Sequence, residues 1–131
     1  MIVIDASLLA NVVGNDGSDG RRAREEFRAA GDVAAPDLVD VETVAVLRKR
    51  WLEKTISAVR FVAAVGDLDD LTLDRYPSLR LMRRAYELRH TVTAYDSAYV
   101  ALAETLGCEL FTSDHRLSRA RGPRCPIRLL R

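Results

Sequence analysis

Four carboxylates in this chain occupy positions that a solvated surface charge explains poorly. Asp5 follows the apolar run Ile2-Val3-Ile4, and Asp114 lies two residues past Phe111-Thr112. Both are therefore expected at carboxyl ends of strands. Each also reads as a helix N-cap, Asp5 for a segment starting near Ser7 and Asp114 for one containing Leu117. On a helix, Asp96 has Tyr99, Val100 and Ala103 at +3, +4 and +7 and so shares an apolar face. A carboxylate there is costly unless paired or bound to a cation; its other reading is a first-turn charge favoured by the helix dipole. Glu42 has Leu38, Val39, Ala45 and Val46 at −4, −3, +3 and +4 and is the acid of its helix expected to face inward. A buried pair with an arginine is its alternative. Asp37, after Pro36, reads as the N-cap of that helix and Asp40 as its N3 charge. Clustered carboxylates repel and do not all stay ionised unless something neutralises them. A hard divalent cation, Mg²⁺ or Mn²⁺, does so with oxygen ligands and retained waters. His90 and His115 are isolated, and Cys108 and Cys125 lack metal-ligand spacing, so no softer metal competes.

The elements that carry these residues alternate between strand and helix. Ile2 to Ile4 reads as a central buried strand. A short helix at 7–13 ends at Gly14, and a polar turn runs from Asn15 to Gly20. Residues 20–30 form a charged helix stopped by Gly31, and Val33 to Ala35 a strand before Pro36. Helices follow from Asp37 to Trp51 and from Thr55 to Val65, the second stopped by Gly66. Leu71 to Leu73 is a strand candidate, and helices at 76–89 and 93–106 follow, the latter closed by Gly107. Glu109 to Thr112 reads as a strand, 115–120 as a helix and Ile127 to Leu130 as a last strand. This pattern predicts an α/β layered fold around a mostly parallel sheet, whose chemistry belongs at the strand carboxyl ends near a switch in strand order.

The whole chain has 131 residues, which suits one domain over 1–131. No apolar run approaches the ~18 residues of a membrane span, and the start lacks the basic region of a signal peptide. A cytoplasmic protein is expected. Net charge is +1, but residues 1–74 hold 9 basic and 14 acidic side chains, and residues 75–131 hold 11 and 5. Eighteen of the 20 basic residues are arginine, whose planar fork suits phosphate.

The sequence resembles the PIN-domain ribonucleases, in particular the VapC-type toxins of toxin–antitoxin modules. The resemblance is carried by Ile2-Val3-Ile4-Asp5-Ala6-Ser7, by Ala35-Pro36-Asp37-Leu38 running into Glu42, by Tyr95-Asp96-Ser97-Ala98-Tyr99-Val100-Ala101-Leu102-Ala103-Glu104, and by Phe111-Thr112-Ser113-Asp114-His115-Arg116-Leu117. It implies a PIN-like three-layer fold and RNA cleavage by a water that Mg²⁺ or Mn²⁺ activates. Asp5, Glu42, Asp96 and Asp114 match the family's acidic quartet, with Asp5, Asp96 and Asp114 on the metal and Glu42 reaching it through water. Ser7 and Thr112 match polar residues that orient the carboxylates or a water. Arg116 and Arg119 are candidates for flanking RNA phosphates. The family often has Thr where Ala6 stands.

The same resemblance implies a VapB-like antitoxin as inhibitor, a homodimeric toxin, contact with operator DNA only through the antitoxin, and no membrane. Two other functions compete with it, besides a PIN nuclease with DNA or processing duties. A non-catalytic regulatory or partner-binding protein would leave the quartet dispensable. A metal-dependent phosphatase of another α/β fold, with Asp5 as nucleophile, usually needs a second Asp where Ser7 stands and a supporting Lys. In a reducing compartment both cysteines stay thiols. Cys108 and Cys125 are therefore expected to titrate as two free thiols in denatured, non-reduced protein; a stoichiometric disulfide would contradict that compartment.

Overall fold

The computed structural model describes residues 1–130; the last residue of the expected 1–131 domain lies outside the described residues. Five parallel strands form one sheet in the order β3-β2-β1-β4-β5, namely β1 (Ile2–Ile4), β2 (Val33–Pro36), β3 (Asp74–Tyr76), β4 (Glu109–Thr112) and β5 (Ile127–Leu129). The helices are α1 (Ala6–Gly14), α2 (Ser18–Ala29), α3 (Val39–Leu52), α4 (Ala58–Asp70), α5 (Met82–Glu87), α6 (Ala94–Leu106) and α7 (His115–Ser118). The sheet is wholly parallel, and helices flank it. β1 is central and buried along its length, as its unbroken apolar run requires. The chain builds outward from β1 to β2 and β3, then returns across it to β4. The switch in strand order therefore falls between β1 and β4, where Ile4 is in register with Phe111. No helix among the described residues is long and apolar enough to cross a membrane.

Local chemistry sets the ends of the helices that matter most. The Asp5 side chain accepts from Leu8 N and caps α1. Thr93 accepts from Asp96 N and caps α6, whose other end closes at Gly107 with a left-handed φ of 65°. The amides of Gly107 and Cys108 return to the carbonyls of Glu104 and Ala103, the usual glycine termination.

Several expected boundaries shift. Helix α4 runs through Gly66 to Asp70 instead of stopping at that glycine. The third strand is then Asp74–Tyr76, not Leu71–Leu73: Leu71 caps α4, and Leu73 packs under the edge. The expected 76–89 helix divides into a 3₁₀ turn at Ser78–Leu81 and the short α5, because Pro77 excludes helical geometry at Tyr76. Helix α3 starts at Val39, with Leu38 at its N-cap. Asp37 does not cap it; its carboxylate accepts from the amide and hydroxyl of Ser78. Asp40 makes a bidentate pair with Arg75 at 2.7 and 3.0 Å, joining α3 to β3. Helix α2 begins at Ser18, shortening the polar turn.

Three glycines expected as breaks play different parts. A Cβ on Gly14 would come within 2.5 Å of Leu47 Cδ2, so this residue lets α1 approach α3. A Cβ on Gly20 would lie 1.7 Å from the Asn15 carbonyl oxygen, a collision with backbone. Gly66 is exposed within a helix, and nothing lies within 4 Å of a Cβ built there. Gly66→Ala is expected to stabilise the protein by ~0.5–1 kcal/mol, the helix-propensity difference. Gly20→Ala is expected to destabilise it by at least ~1–3 kcal/mol, as forced overpacking does. Denaturant midpoints at constant slope would measure both.

Candidate active site

All four sequence-selected carboxylates line one cleft of about 350 Å³ at the carboxyl end of the sheet, together with Ala6, Ser7, Ala45, Val46, Lys49 and Tyr99. Each comes from a different element: Asp5 from the end of β1, Glu42 from α3, Asp96 from the first turn of α6, and Asp114 from just past β4. Parallel pairing of β1 with β4 brings Asp5 and Asp114 to neighbouring positions at the switch in strand order. The larger hollow of the molecule, about 920 Å³ between α1, α2 and α4, holds none of the four.

Asp5 is the anchor of the cleft. It is buried, and both its oxygens are engaged. Oδ1 accepts from Ser7 Oγ at 2.8 Å and from Leu8 N at 3.0 Å, and Oδ2 accepts from the Thr112 hydroxyl. Thr112 Oγ1 also accepts from Asp114 N at 2.9 Å. One hydroxyl thus fixes the carboxylate after β1 against the backbone after β4. Ser7 in turn accepts from Ser113 Oγ at 2.8 Å. Ser7 and Thr112 thus each donate to Asp5, one to each of its oxygens.

Capping and cleft-facing readings are not alternatives here. Asp5 caps α1 while lining the cleft. Asp114 accepts from Arg116 N at 2.8 Å through Oδ1, caps α7, and lines the same cleft. Asp96 is both a first-turn helix charge and a cleft wall. Among the described residues Glu42 pairs with no arginine; its Oε1 accepts from Tyr99 OH at 2.6 Å.

The electrostatics follow from this crowding. Burial pushes the Asp5 carboxyl up to about 6, against the lowering effect of its hydrogen bonds, and neighbouring Asp96 adds to the rise. Burial likewise raises Glu42, with Asp96 contributing. Asp96 is raised by burial first and by Asp114 second. Tyr99 is raised by burial and by the Glu42 carboxylate, so its phenol remains a hydrogen-bond donor.

The implied cation can be tested against these residues. Among the described residues, no three His, Cys, Asp or Glu side chains stand close enough to hold an ion as a ready-made cage. The donor set itself is all carboxylate oxygen, with surplus negative charge. Mg²⁺ keeps several waters and needs only one or two direct carboxylates, so this open arrangement fits it.

Sequence reasoning missed Tyr99 as a site residue, and also Ser113 and Thr93. Tyr99 had a signal, since it lies one helical turn from Asp96 on the same face. Arg116 is exposed at the mouth, with Nε 3.9 Å from Asp114 Oδ1. Arg119 is exposed just beyond α7. Farther along the Arg-rich segment, Arg124 N and the Arg84 guanidinium both bond Glu104, and Arg84 also holds the Gly122 carbonyl, pinning the backbone there.

The raised Asp5 carboxyl has a measurable consequence. The native state holds this proton more tightly than the unfolded chain, so stability from this group is full below pH 4 and lost as pH rises through about 6. Above that, the buried charge costs up to ~3 kcal/mol in metal-free protein. Asp5→Asn keeps an acceptor for Leu8 N and removes the charge. In chelator at pH 7.5 the variant is expected to melt above wild type, with the gap closing toward pH 4. A pH-independent gap would refute this account of Asp5.

A family model described as "PIN domain" matches residues 2–123. The chain is 39% identical over 127 residues to "VapC ribonuclease Mb0985" of Mycobacterium bovis, covering 97% of this chain and 96% of that protein. It is 38% identical over 130 residues to "Ribonuclease VapC1" of Mycobacterium tuberculosis, covering 98% and 97%. Among solved structures, Mycobacterium tuberculosis VapC20, described as a "Sarcin-Ricin loop cleaving toxin", superposes with a TM-score of 0.67 at 20% identity, covering 90% of this chain and 93% of that one. PAE2754 from Pyrobaculum aerophilum superposes with the same TM-score of 0.67 at 22% identity, covering 96% and 81%.

Proposed function

The chain belongs to the PIN-domain family, among the VapC ribonuclease toxins, and from that premise we propose that its carboxylate cleft hydrolyses RNA phosphodiester bonds with Mg²⁺ or Mn²⁺. The observation that carries this reading is the convergence of Asp5, Glu42, Asp96 and Asp114 from four elements on one cleft. Asp5, Asp96 and Asp114 would hold the cation, one or two of them directly and the rest through its waters, and Glu42 would reach it through water. When bound, the cation activates water and offsets negative charge on the phosphoryl oxygens.

The remaining work belongs to the chain. Ser7, Leu8 N and Thr112 hold Asp5 in one orientation, which limits the rearrangement needed when an ion enters. Asp114 spends Oδ1 on its cap, and Glu42 spends Oε1 on Tyr99, leaving one oxygen of each without a protein hydrogen bond among the described residues. Those oxygens are available to a cation or a water. Asp5 has both oxygens engaged and is buried, which suits an ion-holding carboxylate better than a nucleophile on phosphorus.

A VapB-like antitoxin, acting as inhibitor of a homodimeric toxin in the cytoplasm and carrying any contact with operator DNA, completes the proposal. A basic side chain inserted among the carboxylates would neutralise them as the cation does. Exposed Trp51, Leu52, Val59 and Val62 on α3 and α4 offer apolar anchors.

Purified Asp5→Asn, Asp96→Asn and Asp114→Asn proteins are each expected to lose RNA cleavage by at least ~100-fold while keeping a cooperative melt. Glu42→Gln is expected to lose less. Chelator is expected to abolish wild-type activity, and Mg²⁺ or Mn²⁺ to restore it without Zn²⁺. Wild-type turnover in any Asp→Asn variant, measured on labelled RNA, would remove that residue from the mechanism, and full activity in excess chelator would remove the mechanism.

A further inference from the structure

The helices that carry the cleft residues expose two different sets of large side chains. On the α3–α4 side the exposed large residues are aliphatic or tryptophan: Val41, Trp51, Leu52, Val59, Val62 and Val65. On the α5–α6 side they include two of the chain's four tyrosines, Tyr86 and Tyr95, each 66% exposed. Exposed tyrosines without an apolar cluster around them gain little from the folded state, so their position carries information.

Both stand at the end of the α5–α6 hairpin nearest the carboxylates. Helix α5 ends at Glu87 and α6 starts at Ala94, joined by a tight turn in which the amides of Thr91 and Val92 return to the Leu88 carbonyl. Tyr95 directly precedes Asp96. Arg83 lies one helical turn before Tyr86 on α5, and Arg89 follows in the turn after that helix. The Arg89 guanidinium sits 4.1 Å over the Tyr86 ring and also donates to the Tyr86 carbonyl. Arg83 and Arg89 are exposed and form no ion pair among the described residues. The turn of this hairpin lines a hollow of about 170 Å³ that shares Asp96 and Asp114 with the cleft and includes Thr91, Val92, Thr93 and Arg116. Arg116 stands at its edge, its side chain 95% exposed.

We propose that Tyr86 and Tyr95, flanked by Arg83, Arg89 and Arg116, form a stacking track for single-stranded RNA that leads into the Asp96–Asp114 side of the cleft. This assignment rests on the ribonuclease reading and specifies which face takes the substrate. Unpaired bases offer π-faces to aromatic rings whatever their sequence, while arginines answer the phosphates. The positive balance of residues 75–131 supplies the matching field. Tyr86 and Tyr95 are positioning residues, since neither touches the reacting atoms.

The test is binding of a short single-stranded oligoribonucleotide carrying 2-aminopurine, measured in chelator so that nothing is cut. Wild-type protein is expected to quench the fluorophore by stacking. Tyr86→Ala and Tyr95→Ala are each expected to weaken binding ~5- to 100-fold and relieve the quenching. Tyr86→Phe and Tyr95→Phe are expected to match wild type, as is Val59→Ala on α4. Arg83→Ala is expected to lower the salt dependence of binding by about one charge. In Mg²⁺, the Tyr→Ala variants are expected to raise KM more than they lower kcat. Unchanged affinity and quenching in the double Tyr→Ala variant would overturn the track. So would a double variant that loses self-association but keeps RNA affinity, which would make this face a contact between copies. Tyrosine-dependent binding by a wild-type protein that never cuts RNA would leave the track standing and remove the nuclease reading. Cutting with tyrosine-independent binding would do the reverse.

Discussion

The cleft is organised around one costly group, the buried carboxylate of Asp5. Leaving water raises the free energy of its ionised form, and hydrogen bonds from Ser7, Leu8 N and Thr112 offset only part of that cost. Asp96 beside it adds repulsion. A side chain under this load keeps its place only because both its covalent neighbours are fixed. Ile4 before it is locked in the central strand, and Ala6 after it is the first residue of α1. The fold therefore holds a negative charge where folding alone would not favour one, and a cation is the natural complement.

Economy of oxygen atoms extends that principle to the other carboxylates. Asp5 and Asp114 each cap a helix while lining the cleft, so the backbone amides that terminate α1 and α7 also aim the acids. Thr112 ties the two together, donating to the first and accepting from the backbone of the second. Tyr99 gives Glu42 a neutral donor where an arginine would have cancelled its charge. The hydroxyl and amide partners of Asp5, Glu42 and Asp114 orient them without neutralising them.

The surroundings divide the labour. Salt bridges such as Arg75–Asp40 and Arg84–Glu104 lie away from the four acids and join elements of the frame. The second of these also secures the backbone before β5, so the basic C-terminal half presents its charge from a fixed scaffold. Outside the acidic centre, α3 and α4 expose aliphatic side chains and tryptophan, and the α5–α6 hairpin exposes tyrosine and arginine.

The sequence by itself determined the parts whose cause is local. The run Ile2-Val3-Ile4 can satisfy its apolar faces only as a central strand, and Thr93 and Gly107 terminate α6 by contacts within a few residues. Asp5, Glu42, Asp96 and Asp114 stood out because each was an acid on a buried element or at a strand end. The edge strand Asp74–Tyr76 was not legible, since an exposed edge has no apolar alternation to show; its partner β2 defines it. Gly14 and Gly66 read alike as helix breaks, yet one admits Leu47 and the other is an ordinary helical residue, a distinction made by what packs against them. Tertiary structure alone decided that Asp37 holds Ser78, that Tyr99 reaches Glu42 from 57 positions away, and that Thr112 bridges two carboxylate-bearing segments. Such contacts depend on how parallel strands set distant segments side by side, and no window of neighbouring residues contains that information.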